Sequence, residues 1–276
     1  MNNKQKNTGF SLTEILLAMG IMTIGMLFIA GVFPVAIHFT TIATERTIAS
    51  AAADEALAKI RLYAIGDPSK NNPGDDDIAL GQLEVDKLMP YKTVKFSNIF
   101  PAADNMALIE YAYPSTGTDT RQKQYFWSAL FRLTEKYDLI NNPNPPVQIT
   151  IFVSRRTSPN LKYPDPNDTT KTVGWPMPVK VEVEQTGLND DELRIINDPN
   201  AKSYINDGCT IVDDETGRLY RVLQRYAPPP VDNDRVVLLE RDWQGPTDPD
   251  AVWVVPPPEN GGRYPCIAIY QTVIRF

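Results

Sequence analysis

Gly9-Phe10-Ser11-Leu12-Thr13-Glu14 is the stretch on which the reading of this chain turns. Before it lies a polar leader, Met1–Gly9, carrying Lys4 and Lys6. After it, from Ile15 to Phe39, there is no Asp, Glu, Lys or Arg; the run is Leu, Ile, Met, Phe, Val and Ala with Gly20, Gly25 and Gly31. About 25 residues of that kind exceed the roughly 20 needed to cross a ~30 Å hydrocarbon core, so the run reads as a membrane span. A buried core helix is seldom this long and this apolar on every side. A secretory signal has a shorter apolar core, with its cleavage site after the core rather than before it. Lys4 and Lys6 precede the span, whereas Glu45 and Arg46 beyond it balance. The positive-inside rule then puts the N-terminus in the cytoplasm and the C-terminal bulk outside.

Glu14 needs its own explanation. A carboxylate in a span costs about 2.5–3.5 kcal/mol at the centre and less near an end. An ordinary anchor has no evident use for it. Cleavage after Gly9 would create an α-ammonium on Phe10, and Glu14 of a neighbouring chain could pair with that ammonium as helices pack side by side. An unpaired buried charge is strongly penalised, so such a pair would set the register between chains.

Gly before the cut, Phe after it, an acid fifth in the processed chain and an apolar run throughout resemble the N-terminus of type IV pilins and type II secretion pseudopilins. The resemblance covers roughly the first quarter of the chain. It implies cleavage between Gly9 and Phe10 by a prepilin peptidase, N-methylation of Phe10 and a role for Glu14 in subunit assembly. It also implies sister pilin or pseudopilin subunits and an inner-membrane assembly platform as partners. Gly25, Gly31 and the Ala-rich tract ending near Arg61 look most like the minor pilins and minor pseudopilins. The expected protein is a structural subunit, first in the inner membrane with its N-terminus inside, then in an extracytoplasmic filament. Two alternatives stay open: a pilus-borne adhesin or other binding module, and a simple single-pass anchor with a periplasmic domain.

Past the span, Ile42, Ala49, Ala52, Ala53, Ala56, Leu57, Ile60 and Ala64 recur at helical spacing, with Glu55 and Lys59 as an i,i+4 pair on the polar face. The helix is expected to run to about residue 65, with a kink at Pro34 and a stop at Gly66-Asp67-Pro68. Of the 276 residues, those from 66 onward suffice for a packed domain, and 24 prolines divide them into short elements. The strand-like runs are Thr93–Phe96, Ala107–Tyr113, Gln124–Leu133, Val147–Ser154, Val179–Glu184, Cys209–Tyr226, Val236–Glu240, Val252–Val255 and Cys266–Phe276. Within Cys209–Tyr226, Asp214-Glu215-Thr216-Gly217 reads as a hairpin turn. Ile78–Leu88 reads as a short helix and Ser158–Pro178 as a loop. The fold class is therefore α+β: leader 1–9, membrane and assembly helix 10–65, and a mostly antiparallel β-rich extracytoplasmic domain 66–276. A composition shift over Leu188–Asn206 is a candidate seam between two β lobes.

A net charge of −7 argues against non-specific nucleic-acid binding, which rests on basic patches. Arg155-Arg156 is the one small basic candidate, and reads as a solvated strand end. His38, the only histidine, ends the apolar run, which removes Ser-His and Cys-His catalysis. There is no phosphate-binding Gly-rich loop. Adjacent acids such as Asp190-Asp191 and Asp213-Asp214 point to opposite faces of a strand, poor geometry for acid–base work. The chain is thus expected to assemble, not to catalyse, and to need no cofactor. Calcium at Asp75-Asp76-Asp77 is the one metal reading, and that triplet lacks the ligand spacing of an EF-hand. Cys209 and Cys266 lie in the part placed outside, where a disulfide persists. A bridge between them would stabilise the fold by about 4 kcal/mol on the chain-entropy view; the alternative is two separate small buried residues. Trp127 and Trp253 sit in strand patterns that suit a core, whereas Trp175 and Trp243 beside Pro and Gly are surface candidates.

Overall fold

The computed structural model describes residues 11–63, 83–90, 111–115, 123–138, 140–166, 168–186, 189–196, 201–226, 236–245 and 250–275. Among them the chain forms one long helix, α1 (Leu12–Tyr63), followed by a mostly antiparallel β-rich region, an α+β fold. The helix runs unbroken through Pro34. The expected stop at Gly66-Asp67-Pro68 lies outside the described residues. The chain divides into two compact units, Met1–Thr47 and Ile48–Phe276.

In the first unit every residue from Ser11 to Thr41 is exposed, Leu12, Phe28 and Leu27 by 78, 71 and 68%. This apolar helix, on which none of the described residues packs, is long and apolar enough to cross a membrane. Its hydroxyls suit that setting. Thr23, Thr40, Thr41, Thr44 and Thr47 each donate to the carbonyl four residues back, at 2.8–3.0 Å. No polar side chain among these five then needs water.

In the second unit, α1 continues with Ala49, Ala52, Ala53, Ala56 and Ile60 buried at the predicted spacing, and Glu55 pairs with Lys59 at 2.9 Å. These small side chains lie on one face of an antiparallel sheet in the order β1 (Met89–Pro90), β3 (Tyr125–Leu133), β4 (Val147–Arg155), β13 (Cys266–Ile274), with β2 (Ala112–Tyr113) also paired to β3. The register puts Trp127 opposite Val153, Ala129 opposite Ile151, Phe131 opposite Ile149 and Leu133 opposite Val147. All eight join the alanines in one core. Alanine lets the sheet approach the helix backbone closely, which is why large residues fill the sheet side and small ones the helix side.

The opposite face of the same sheet is covered too. Leu130, Phe152 and Leu88 pack with Val212, Trp253 and Val255. Val212 and Trp253 belong to a closed barrel, and Val255 directly follows its last strand in the chain. The barrel is made of β7 (Val179–Gln185), β8 (Glu192–Ile195), β9 (Thr210–Asp213), β10 (Leu219–Tyr226), β11 (Val236–Leu239) and β12 (Asp250–Val254), in the order β10-β11-β8-β7-β12-β9. Val179, Val181, Val183, Leu193, Ile195, Ile211, Tyr220 and Val222 fill it. Closure removes the exposed strand edges. A two-stranded ribbon of β5 (Tyr163–Asp165) and β6 (Asp168–Val173) completes the set.

The barrel is an insertion. β4 ends at Arg155 and its neighbour β13 begins at Cys266, and the strands between them in sequence lie off the sheet path. The two crossings are stitched together where the Arg155 amide donates to the Pro265 carbonyl at 2.8 Å. The Leu188–Asn206 composition shift is not a seam between lobes: β8 within it pairs with β7 and β11 inside the barrel, and Ala201–Ser203 is a 3-10 turn. Ser158–Pro178 is not all loop, since it carries β5 and β6. The described end of the expected helix Ile78–Leu88, residues 83–88, is irregular. Thr93–Phe96 lies outside the described residues, as do residues 107–110 of the next predicted strand. Asp214-Glu215-Thr216-Gly217 is a hairpin turn, in agreement with its sequence. Gly217 has φ +68°, and a Cβ there would come within 3.1–3.2 Å of Gln148 and Arg132. Glycine adopts this φ without strain and leaves those side chains where they are.

Candidate functional site

The start of α1 is built around Ser11 and Glu14. The Ser11 amide donates to Glu14 Oε2 at 3.1 Å and its hydroxyl donates to the same oxygen at 3.4 Å. In return the Glu14 amide donates to Ser11 Oγ at 3.3 Å. This is a reciprocal Ser-x-x-Glu capping box, which satisfies amides that a helix N-terminus otherwise leaves bare and puts a carboxylate where the helix dipole favours it. Its signal is legible as Ser11-Leu12-Thr13-Glu14 before an apolar run, and it gives Glu14 a use within its own chain, alongside any pairing between chains. Both contacts to the carboxylate go to Oε2, and Oε1 has no partner among the described residues. Gly9 and Phe10 lie outside them.

Ser11→Ala is expected to fray the first turn by about 1 kcal/mol, read as faster amide exchange at Thr13 and Glu14, while Ser11→Thr keeps the cap. Unchanged exchange in Ser11→Ala would mean that the box contributes nothing.

The two cysteines are free thiols, not a disulfide. They are neighbours all the same, since a charge on Cys209 would oppose one on Cys266. Cys209 is buried with the barrel interior, whereas Cys266 opens β13 in the cluster between barrel and sheet, its thiol directed to the Ala268 carbonyl at 3.7 Å. Burial pushes both thiols up to about 12, so neither is a thiolate nucleophile near neutral pH.

Arg156 is buried rather than solvated. Its guanidinium stacks 5.1 Å from the Phe126 ring and donates to the carbonyls of Gly174 and Lys123. Trp243 is a core residue, 6% exposed, with its ring 4.8 Å from that of Tyr220; Trp175 is half-buried. Trp127 and Trp253 are core residues, as their strand patterns predict.

A dense polar group lies where the barrel meets the sheet, and adjacency in sequence concealed it. Asp213 and Asp214 do face opposite ways, yet both are buried. Asp214 faces the sheet: its Oδ2 accepts from Lys180 Nζ and its Oδ1 from Trp253 Nε1, both at 2.5 Å. Asp213 faces the barrel end. It accepts from the Glu215 amide at 3.0 Å and from the Thr216 hydroxyl, and, beside the effect of burial, its charge and that of Asp214 help push the neighbouring Asp250 carboxyl up. Nearby, Arg132 on β3 donates to the Glu215 carbonyl at 2.5 Å and Gln271 on β13 to the Gly217 carbonyl at 2.6 Å. The hairpin turn is thereby fastened to the sheet.

An open groove of about 840 Å³ flanks the barrel, lined in part by Tyr204, Asn206, Arg225, Pro258, Glu259 and Tyr264. Among the described residues no group of three or more His, Cys, Asp or Glu side chains is placed to hold a metal ion. Asp75-Asp76-Asp77 lies outside those residues. Comparison of the chain with known proteins finds no matching family model, no similar curated protein and no similar solved structure.

Proposed function

We propose that this chain is a minor pilin or pseudopilin: a subunit made with a short leader, processed between Gly9 and Phe10 by a prepilin peptidase, and assembled through its N-terminal helix into a type IV pilus or a type II secretion pseudopilus. The observation that carries the reading is Gly9-Phe10-Ser11-Leu12-Thr13-Glu14 joined directly to an apolar helix exposed from Ser11 to Thr41. Apolar surface on all sides of a helix needs lipid before assembly and sister helices after it. The capping box would serve a simple anchor equally well. What favours a filament subunit is the basic leader ending in Gly9 just before Phe10, which an anchor does not need, and the uncommitted Oε1 of Glu14. In the filament that oxygen takes the α-ammonium of a sister chain's Phe10, and the inserted barrel is the part that distinguishes this subunit's exposed domain. The precursor enters the inner membrane with Lys4 and Lys6 on the cytoplasmic side.

The deciding measurement is the mass of the N-terminal peptide of protein purified from its native membrane. The expected peptide begins at N-methylated Phe10. A peptide still carrying Met1 would leave only a tethered domain.

A further inference from the structure

The groove beside the barrel is lined mainly by stretches that lie apart in sequence: the turn 203–207, Arg225 near the end of β10, and the loop 257–264 that leads from β12 to β13. Each is pinned by its own hydrogen bonds. In the turn the Tyr204 amide donates to the Ala201 carbonyl at 3.0 Å, and Asn206 Nδ2 donates to the Ser203 carbonyl at 3.2 Å. The Arg225 amide donates to Asp207 Oδ1 at 2.8 Å and its guanidinium to the Ile205 carbonyl at 3.2 Å, which ties β10 to the turn. In the loop the Glu259 amide donates to the Lys162 carbonyl at 3.0 Å, and the Gly261 amide to the Pro258 carbonyl at 2.9 Å. Gly261 has φ +75°, so glycine closes this loop without strain. The Tyr264 hydroxyl donates to the Thr210 carbonyl at 3.3 Å. The walls are therefore held in place before a ligand arrives, which lowers the ordering cost of binding.

The lining carries both signs of charge. Arg225 supplies a guanidinium, and Asp207 and Glu259, both exposed, supply carboxylates. The Glu259 carboxylate has no partner among the described residues. Pro257, Pro258 and the half-buried Tyr264 add C–H and ring surface beside them. An anionic ligand would be repelled by two carboxylates, and a cationic one by the guanidinium that adjoins Asp207. A hydroxyl suits every polar group present, since it donates to a carboxylate and accepts from a guanidinium.

We infer that this groove binds a neutral oligosaccharide, with sugar hydroxyls on Asp207, Glu259 and Arg225 and the C–H faces of the rings on Pro257, Pro258 and Tyr264. Its volume of about 840 Å³ falls within the roughly 300–1,000 Å³ of ligand sites. Because the groove is open, it accepts a chain of sugars that continues beyond it at either end. The groove belongs wholly to the second unit, and the inference stands whether or not α1 assembles as proposed.

The test uses the full chain in lipid nanodiscs, because sugar-headed detergents would compete. Fluorescently labelled protein is applied to an array of neutral glucan, mannan, galactan and chitin fragments, with oligolysine and oligoglutamate as charged controls. Wild type is expected on at least one neutral family and on neither control. Ser203→Trp places a large ring on the groove wall from an exposed position, and its retention is expected to be lost. Glu259→Ala is expected to weaken binding of the retained glycan about tenfold, the effect of one lost hydrogen bond to a charged group. Retention of wild type by no neutral glycan overturns the inference. So does retention by oligolysine alone, which would assign the groove to a basic peptide. Should Ser203→Trp melt well below wild type, Glu259→Ala decides alone, and unchanged affinity in that variant overturns the site.

Discussion

Glu14→Gln is expected to enter the membrane normally and to drop out of the filament. Glutamine at this position still completes the capping box with Ser11, so the helix start is kept. What is lost is the negative charge, and a sister chain's Phe10 ammonium is then buried with no counter-charge. Removing one partner of a buried pair costs about 3–5 kcal/mol, which corresponds to a drop of about two orders of magnitude or more in incorporation. Glu14→Ala loses the cap as well, and should insert with a frayed first turn and incorporate no better. The measurement is the ratio of variant to wild-type subunit in sheared filaments at equal membrane levels. Wild-type incorporation of Glu14→Gln would show that the acid is only a helix cap, and the proposed pairing would have to be abandoned.

Trp253→Ala is expected to be the most damaging single change among the residues that join barrel to sheet. The indole is 5% exposed and lies among Leu88, Leu130, Phe152, Val212 and Val255. Its removal leaves a large cavity there, for about 3–5 kcal/mol. It also strips Asp214 of one of its donors, leaving Lys180 to hold a buried carboxylate. A melting temperature lower by about 10 °C follows for a domain of this length. Trp253→Phe separates the two effects, since it keeps most of the apolar volume and loses only the donor, and it should recover more than half of the loss. If Trp253→Ala shifts the melt by less than a few degrees, the barrel is held to the sheet by something other than this cluster.

Local signals carried much of this architecture. The apolar run announced its helix because nothing in Ile15–Phe39 interrupts it, and the alanine spacing beyond announced the buried stripe. Val147–Ser154 read as a strand because its residues are buried on both faces, one by the helix and one by the barrel. Val179–Glu184 alternates because one of its faces lines the barrel. The capping box, too, was present in four consecutive residues. Misreadings came where a residue's surroundings are supplied by distant chain. Trp243 looked exposed beside Gly and Pro, but Tyr220 covers it. Arg156 looked solvated at a strand end, but Phe126 and the Gly174 and Lys123 carbonyls enclose it. The cysteines looked pairable because both neighbour strands, and they do lie near one another, yet each is a free thiol.

By itself, then, the order of residues determined what each segment is: a lipid-compatible helix, an alanine face, a series of short strands, a glycine turn. Those follow from periodicities of a few residues and from the backbone preferences of single side chains. Only the tertiary structure decided which strands are neighbours. β4 meets β13 across the whole inserted barrel, and Asp213 meets Asp250 from another strand. Such pairings depend on matching faces and on closing long loops, which leave no periodic trace in the segments concerned. The barrel and the neighbouring carboxyls at its end are therefore properties of the folded chain rather than of any stretch of it.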